Sequence, residues 1–341
     1  MCAYWQDYRV PPITFSQSRP GSLPVWRQIR TFRWQPPGRA GRGERKRVFE
    51  SAIEQAEQLF AAAETAGYAS RPLLLFYGLS QAGRAIAAVS TAADNNSYKL
   101  SGHGIKVLGL DQRPPLPELT VKDEGTGSFT QLAQLLGSIS LPAGVPLGQL
   151  WAAIPDLLPT PLGTGSRQYL NVLRVEHQVV GGDTLGTTGW VVGLPKRPGG
   201  YHKVPEEEMQ AILRSYPALA ATQPLGREVW FTGNDDIWDR QALRLWPDMT
   251  DPWFSGQPYR DDDDKWIFPP LDESGNTLHP LLTWWALLFA LSMLARYEPA
   301  SWTSNLDLNA SPNAVPLHTA LDEALGTCPE LILRAIHEAA M

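Results

Sequence analysis

Residues 278–302, LHPLLTWWALLFALSMLARYEPASW, form a long apolar run that ends in Arg-Tyr-Glu-Pro. From residue 278 to residue 295 the chain carries no Asp, Glu, Lys or Arg. A helix that is apolar on every face is either buried in a protein core or inserted in a membrane. The run barely reaches the length of a membrane span and includes His279 and Pro280, so we predict a buried core helix around which the chain packs.

Two stretches predict helices nearer the N-terminus. Residues 44–66, ERKRVFESAIEQAEQLFAAAETA, place apolar side chains at helical spacing and end before Gly67. Residues 71–93, RPLLLFYGLSQAGRAIAAVSTAA, are apolar on most faces and rich in small residues, which is typical of a helix in the middle of a core. We predict that this helix ends at residues 94–96, Asp-Asn-Asn.

The middle of the chain, from about residue 98 to residue 260, has a different texture. Short alternating or β-branched runs such as HGIKVLGL (103–110) and GWVVGL (189–194) are separated by Pro and Gly, a pattern that predicts strands. Helical segments are predicted at residues 128–139 and 205–220 within this region.

The predicted fold class is therefore α+β, with a helical body from the N- and C-terminal parts around a β-rich insertion. After residue 302 the pattern predicts two short helical segments, at residues 318–326 and 329–340. The predicted division of the chain has four parts: a basic aromatic N-terminal arm (1–43), a first helical part (44–97), the β-rich middle (98–265) and a second helical part that packs on the first (266–341).

Composition narrows the class of protein. The chain of 341 residues is 43% hydrophobic and 19% charged, which excludes a disordered or fibrous protein. Cys2 and Cys328 are its two cysteines, so neither a disulfide scaffold nor a thiolate zinc cluster is expected. The N-terminal residues lack a secretion signal pattern, and we expect a cytoplasmic location.

The formal charge is unevenly distributed. Residues 1–50 carry a net +7, which leaves −13 for the remainder of a chain whose total is −6. Arginine interleaved with aromatic rings is typical of surfaces that hold single-stranded nucleic acid. The residues with this predicted role are Arg27, Arg30, Arg33, Trp34 and Arg45. The alternative is that the basic segment packs on the protein's own acidic body.

Several of these motifs together resemble the bacterial YaaC-like family. They are RPLLLFYGLSQAGRAIAA (71–88), the following SGHGIKVL (101–108) and LLTWWALLFALSMLARYEPASW (281–302), in this order. The resemblance covers both helical ends and hence most of the chain. It implies an architecture, with a β-rich middle between the helical parts, and no particular activity.

The helix at residues 71–93 and the Gly-His turn that follows are also similar to HEPN-type helical domains, which often bind or cut RNA. HEPN ribonucleases carry Arg, four to six residues, then His on a helix. The one Arg-x4-His match here, Arg197 to His202, lies in a Pro-Gly loop, and Arg334 precedes His337 too closely. The resemblance therefore implies a binding or inactive version of that domain, since fold analogy says little about chemistry.

Five residues form the sharpest candidate site. Arg84 follows Tyr77 by two helical turns and shares its face. His103 lies between two glycines and could act as an acid or base near neutral pH, or could cap a turn. Arg296, with Tyr297 beside it, could grip phosphate or carboxylate, or could satisfy the last helix carbonyls and pair with a buried Glu. If the helices meet as the family resemblance implies, these groups form a cationic pocket.

Other motifs give weaker evidence of a functional site. Asp261 to Asp264 could bind a divalent cation but is more typical of a solvated loop, and residues 234–236, Asn-Asp-Asp, follow a predicted strand without a visible partner. No phosphate-loop, Gly-x-Ser-x-Gly or His-Glu-x-x-His motif occurs, and the common hydrolases, kinases and dehydrogenases are not indicated. No metal site and no cofactor is predicted.

Three functions remain open from the sequence. The first is a binding or accessory protein that engages a phosphate-bearing partner, with nucleic acid favoured, through the basic arm and the inter-helix arginines. The second is an RNA- or nucleotide-processing enzyme in which His103 is catalytic and Arg84 and Arg296 bind the substrate. The third is a structural subunit whose N-terminal segment docks on another protein. No membrane association is expected, and the oligomeric state is left open.

Overall fold

The computed structural model describes residues 23–94, 96–163, 170–178, 187–194, 223–224, 230–231, 239–245, 264–271 and 275–341, together with six positions between 207 and 219. Helices dominate both ends of the chain and strands occupy its middle, so the α+β class is confirmed. The described helices are α1 (Leu23–Trp34), α2 (Gly43–Thr65), α3 (Arg71–Val89), α4 (Ser128–Leu135), α5 (Leu147–Ala152), α6 (Pro280–Tyr297), α7 (Pro299–Asn305) and α8 (Ala314–Ala340).

The described strands form two antiparallel sheets. In the first, β1 (Ile105–Leu108), β2 (Thr120–Asp123) and β3 (Val145–Pro146) lie in sequence order. The second has the order β6-β8-β5-β4-β9, with β7 paired to β8. Its strands are β4 (Leu173–Gln178), β5 (Thr187–Leu194), β6 (Gln223–Pro224), β7 (Trp230–Phe231), β8 (Asp239–Leu245) and β9 (Asp264–Ile267). All of these strands except β9 lie in the part of the chain, residues 98–260, where the turn-rich pattern predicts strands.

Helix α6 is the centre of the core, as predicted. Its Trp284 and Trp285 are 0% and 1% exposed. By length and composition it is the one helix among the described residues that could cross a membrane, and 78% of it is buried in the fold. Gly83 of α3 packs against it so closely that a Cβ there would lie 2.6 Å from the Trp285 ring. The small residues of α3 thus let two core helices approach each other.

The end of helix α3 differs from the prediction. Helix α3 ends at Val89 rather than at Asp94, because the carbonyl groups after Val89 are satisfied outside the helix. Arg45 donates to the carbonyl oxygens of Ser90 (3.0 Å) and Ala93 (2.9 Å), and Arg39 also donates to that of Ala93. An N-terminal segment therefore closes the end of α3, a long-range contact that local sequence does not show.

The C-terminal part is one continuous helix, α8, where two short helices were predicted. Pro329 lies inside it and removes one helical hydrogen bond, which normally costs about 3 kcal/mol. Cys328, Leu331 and Ile332 around the proline are all fully buried in the core. Burial of this face outweighs the local penalty, so the helix continues through the proline.

Residues 23–34, which belong to the predicted basic arm, form the amphipathic helix α1. Its Trp26 and Ile29 are 4% and 1% exposed and join the main core, where Trp26 packs on Phe60 with ring centroids 5.5 Å apart. The spacing of Trp26, Ile29 and Phe32 is the helical signal for this element. Residues 1–22 lie outside the described part.

Candidate functional site

Four residues, Tyr77, Arg84, His103 and Arg296, are called here the arginine–histidine cluster. The charges of Arg84 and Arg296 both act on His103, and Arg296 contacts Tyr77, whereas Arg84 has no hydrogen bond to the other three. Helix α3 carries Tyr77 and Arg84 on one face, and the last turn of α6 carries Arg296. Arg296 Nη1 donates a hydrogen bond to the Tyr77 hydroxyl oxygen at 3.1 Å. His103 comes from the turn before β1, and both arginines act on its electrostatics.

The imidazole of His103 lies against two aromatic rings. Its centroid is 5.6 Å from that of Phe76 and 5.7 Å from that of Phe289. Partial burial, and then the positive charges of Arg296 and Arg84, hold the pKa of His103 below its ordinary value. The ring is therefore neutral at pH 7, while one side of the residue stays exposed to solvent.

Backbone contacts hold the His103 turn in place. Gly102 and Gly104 adopt φ of 65° and 70°, the left-handed region that favours glycine. The carbonyl oxygen of Gly102 accepts from the Ser128 amide (3.2 Å) and hydroxyl (2.7 Å), and that of His103 accepts from the Phe129 amide (3.0 Å). The first amides of α4 thus anchor the turn rather than remaining open to an anion. The imidazole itself has no hydrogen-bond partner among the described residues.

The two arginines also lack carboxylate partners within the described part of the chain. Arg84 Nη1 donates to Gln81 Oε1 at 2.9 Å, which is a neutral acceptor. The Arg296 guanidinium carbon lies 5.0 Å from the Tyr297 ring centroid, so this cation packs on an aromatic ring. Glu298, two residues after Arg296, accepts from Arg113 Nε at 2.8 Å instead.

The predicted arginines of the basic segment differ from Arg84 and Arg296 in their hydrogen-bond partners. Arg30 Nε donates to Glu57 at 2.6 Å, and Arg33 Nη2 donates to Glu54 at 2.9 Å. Arg45 is occupied by the carbonyl groups after α3 and also lies 4.4 Å from the Tyr98 ring centroid. These three side chains have partners within the fold, and their predicted nucleic-acid-binding role stays a prediction.

Trp34 and Arg27, which share this predicted nucleic-acid-binding role, are exposed on α1. Trp34 is 83% exposed at the end of α1. Arg27 is exposed on the same helix and has no ion-pair partner among the described residues. Their predicted role stays a prediction, and they lie on a different helix from the arginine–histidine cluster.

Sequence reasoning missed a buried histidine at the start of α6. His279 is 0% exposed, and its Nδ1 accepts a hydrogen bond from the Leu281 amide at 3.0 Å, which caps the helix. Nε2 must then carry the hydrogen, and it lies 3.0 Å from Glu338 Oε2 of α8. Glu338 also accepts from Arg334 Nε at 2.6 Å. A His immediately before the first Pro of a helix is the local signal for such a cap.

This histidine is structural rather than accessible to a ligand. Burial holds the pKa of His279 below its ordinary value, although the Glu338 carboxylate opposes that shift. Burial of Glu338 disfavours its ionised form, but hydrogen bonds from His279 and Arg334 outweigh this and hold its pKa below the usual range. The group ties the start of the core helix to the C-terminal helix.

Several predicted motifs lie outside the described residues: Asp261 to Asp263, residues 234–236, the Arg197-to-His202 match and most of the predicted helix at 205–220. Asp264 begins strand β9. Within the described ranges, no group of three or more His, Cys, Asp or Glu side chains could hold a metal ion.

Comparison with known proteins places the chain in a family. No curated protein and no solved structure matched it. A family model described as YaaC-like Protein matches residues 24–336, which is nearly the whole chain and includes both helical ends and the arginine–histidine cluster. The chain therefore belongs to the YaaC-like family, as the motifs at 71–108 and 281–302 indicated.

Proposed function

We propose that this chain is a binding or accessory protein that engages a phosphate-bearing partner, with nucleic acid the favoured class, at the arginine–histidine cluster. The observation that carries the proposal is that Arg84 and Arg296, whose charges both act on His103, have no carboxylate partner among the described residues. Cations without a carboxylate partner attract an anionic ligand more strongly than paired ones do.

The donors of the cluster suit a phosphate group. Each guanidinium has five N–H groups, and the hydrogen bonds to Gln81 and Tyr77 leave several of them available. The Tyr77 oxygen accepts from Arg296, so its own hydrogen can be donated to a ligand oxygen. Charge-assisted bonds of this kind are roughly twice as strong as neutral ones, which favours phosphate over an uncharged ligand.

Exposed aromatic rings beside the arginines favour nucleic acid over a free anion. Tyr77 is 38% exposed and Tyr297 is 56% exposed. Arg296 packs on one face of the Tyr297 ring. A phosphate bound to Arg296 would bring the adjoining base within reach of these rings, and stacking contributes about 1–3 kcal/mol per base.

A salt-dependent binding measurement tests this proposal. The probe is a fluorescein-labelled oligouridylate, whose anisotropy is followed in increasing concentrations of the full chain at several salt concentrations. We expect the logarithm of the affinity to fall linearly with the logarithm of salt concentration. Arg84→Gln and Arg296→Gln should each weaken binding and reduce the salt slope by roughly 0.7 per lost phosphate contact.

Arg47→Gln is the matched control, because it removes the same charge from an exposed position on α2 that has no predicted binding role. If the cluster is the site, Arg47→Gln has a smaller effect than either cluster variant. Equal effects of all three variants would move the site away from the cluster, and the absence of wild-type binding at low salt would remove the proposal. Trp34→Ala, measured alongside, shows whether the exposed end of α1 adds contacts.

A second candidate, an RNA- or nucleotide-processing enzyme, is favoured by the state of His103. A neutral, solvent-accessible imidazole beside two cations is suited to removing a proton from a hydroxyl group that attacks phosphorus. Incubation of the labelled oligouridylate with wild type and His103→Gln distinguishes the two functions. Cleavage that depends on His103 would favour the enzyme, whereas an intact probe that stays bound favours the binding protein.

A further inference from the structure

Strand β1 is an edge strand of the first sheet, and within the described residues it pairs with β2 alone. The Glu124 amide donates to the Gly104 carbonyl oxygen at 3.1 Å, which fixes the hydrogen-bonding pattern of this antiparallel pair. Successive residues of an antiparallel strand direct their backbone groups to opposite sides. Counted from Gly104, the next residue, Ile105, and then Val107 therefore direct their N–H and C=O groups away from β2.

Contacts on the far side of β2 agree with this pattern. Asp123, which lies opposite Ile105, turns its amide away from β1 and donates to the Leu141 carbonyl oxygen at 3.1 Å. Among the described residues, nothing donates to or accepts from the outward groups of Ile105 and Val107. Ile105 is only 2% exposed, and buried backbone groups are almost always paired in native proteins. The outer edge of β1 thus has room for a hydrogen-bonding partner that the described residues do not supply.

We propose that an extended segment of another protein adds to β1 as an antiparallel fourth strand of the first sheet, with a carboxylate opposite Lys106 and apolar residues on either side of it. In this mode of recognition, main-chain hydrogen bonds provide affinity and the side chains provide specificity. Every described strand pair is antiparallel, so the added strand continues the existing pattern. This site is separate from the arginine–histidine cluster and does not depend on it.

The side chains beside the edge select the chemistry of the partner. Lys106 and Lys122 lie opposite each other on one face of the sheet. Glu124 pairs with Lys106 at 3.3 Å, whereas Lys122 has no ion-pair partner among the described residues. Like charges in opposite positions are destabilising, so a carboxylate on the free side of Lys106 offsets the excess positive charge. Leu108 is 38% exposed and Val107 is half-buried, which favours apolar residues next to that carboxylate.

A second copy of the chain fits this edge less well. The register that uses all the outward groups pairs Ile105 of each copy with Val107 of the other. The two Lys106 side chains would then lie opposite each other, in the non-hydrogen-bonded position where side chains approach most closely. Charge therefore favours an acidic segment of a different protein.

The probe is a fluorescein-labelled peptide, Ser-Ile-Val-Glu-Val-Ser, whose anisotropy is followed in increasing concentrations of the full chain. In the proposed register its two Val residues exchange hydrogen bonds with Ile105 and Val107, and its Glu lies opposite Lys106 with the amide directed to solvent. N-methylation of the two Val amides should therefore abolish binding, and N-methylation of the Glu amide should not. Replacement of the Glu by Lys should weaken binding by about threefold to about tenfold.

Val107→Pro tests the same contact from the side of the protein. The Val107 amide points away from β2, so its loss leaves the hydrogen bonds between β1 and β2 in place, and Pro is tolerated at such edge positions. Val107→Ala is the matched control, because it shortens the side chain and keeps the amide. We expect Val107→Pro to bind the peptide at least about tenfold more weakly than Val107→Ala.

Amide hydrogen exchange, followed by NMR on the isotope-labelled wild-type chain, locates the bound peptide without any variant. In the free protein the Val107 amide should exchange faster than the Lys106 amide, which is directed to β2, and the peptide should slow it. Slow exchange of the Val107 amide in the free protein would mean that the chain itself covers the edge, and would overturn the proposal.

Three other results would also overturn it: peptide binding without protection of Val107, binding that survives methylation of the Val amides, and a dimer that Val107→Pro dissociates. The last of these would assign the edge to a second copy. No binding of the peptide would remove the strand-addition site and leave the oligouridylate test of the proposed function unaffected.

Discussion

Three glycine substitutions separate the forces that hold the His103 turn. Gly102→Ala introduces a side chain at φ 65° with no atom within 4 Å of the new Cβ, so it adds only backbone strain. Gly127→Ala has an ordinary extended backbone, but its Cβ would lie 2.3 Å from the Gly104 amide nitrogen. Gly104→Ala combines both problems, with φ 70° and a Cβ 2.8 Å from the Gly127 backbone.

The expected losses in unfolding free energy follow from these contacts. Left-handed backbone in a non-glycine residue costs about 1–2 kcal/mol, which is the expected effect of Gly102→Ala. A methyl group forced into a tightly packed site costs about 1–3 kcal/mol, which is the expected effect of Gly127→Ala. Gly104→Ala should therefore lose about 2–5 kcal/mol and be the least stable of the three. The clash involves backbone atoms on both sides, so side-chain rotation cannot relieve it.

Urea unfolding followed by tryptophan fluorescence measures these differences, since Trp284 and Trp285 report on the central core. At a temperature where every variant stays folded, Gly104→Ala should also bind the oligouridylate probe more weakly than Gly102→Ala. The reason is that separating the turn from α4 moves His103 relative to the arginines. Equal stabilities of Gly102→Ala and Gly104→Ala would refute the argument that the close approach to Gly127 holds the turn.

Two further predictions concern stability. The folded-state pKa of His279 lies below its unfolded value, so its contribution to stability is present above about pH 6.5 and is lost as the pH falls. His279→Asn should flatten this part of a urea-midpoint profile, and an unchanged profile would contradict the burial of a neutral imidazole at this position. Trp26→Ala should lower the free energy of unfolding by about 3–5 kcal/mol, because the ring is buried in the core. Trp34→Ala, at an exposed position, should change it by no more than about 0.5 kcal/mol. Similar losses for the two variants in the same unfolding assay would mean that α1 does not dock through Trp26.

Local sequence patterns were sufficient to predict the central helices. The predicted helix at residues 44–66 is α2 (Gly43–Thr65), and the long apolar run contains α6 (Pro280–Tyr297). In both cases a helical period or an uncharged run extends over several turns, so many residues favour the same helix. Such elements are the ones that a single sequence specifies most strongly.

Long-range contacts account for what the patterns missed. Arg30 and Arg33 of α1 contribute to the basic charge that the sequence shows, but their partners Glu57 and Glu54 lie on another helix. The cap of α6 by His279 likewise depends on a carboxylate of α8 far along the chain. Local sequence shows that these residues can form hydrogen bonds, but it does not show with which partner.

The partners of each arginine in the fold also make the arginine–histidine cluster a better functional candidate than the basic segment. A run of arginines raises the local charge wherever it lies, but each cation loses most of its attraction for a ligand once a carboxylate or a set of carbonyl groups has paired with it. Arg30 and Arg33 have carboxylate partners, whereas Arg84 and Arg296 have only neutral ones. The binding capacity of a cation therefore depends on its partners in the fold, and in the described part of this chain the unpaired charge next to a histidine comes from two isolated arginines on separate helices.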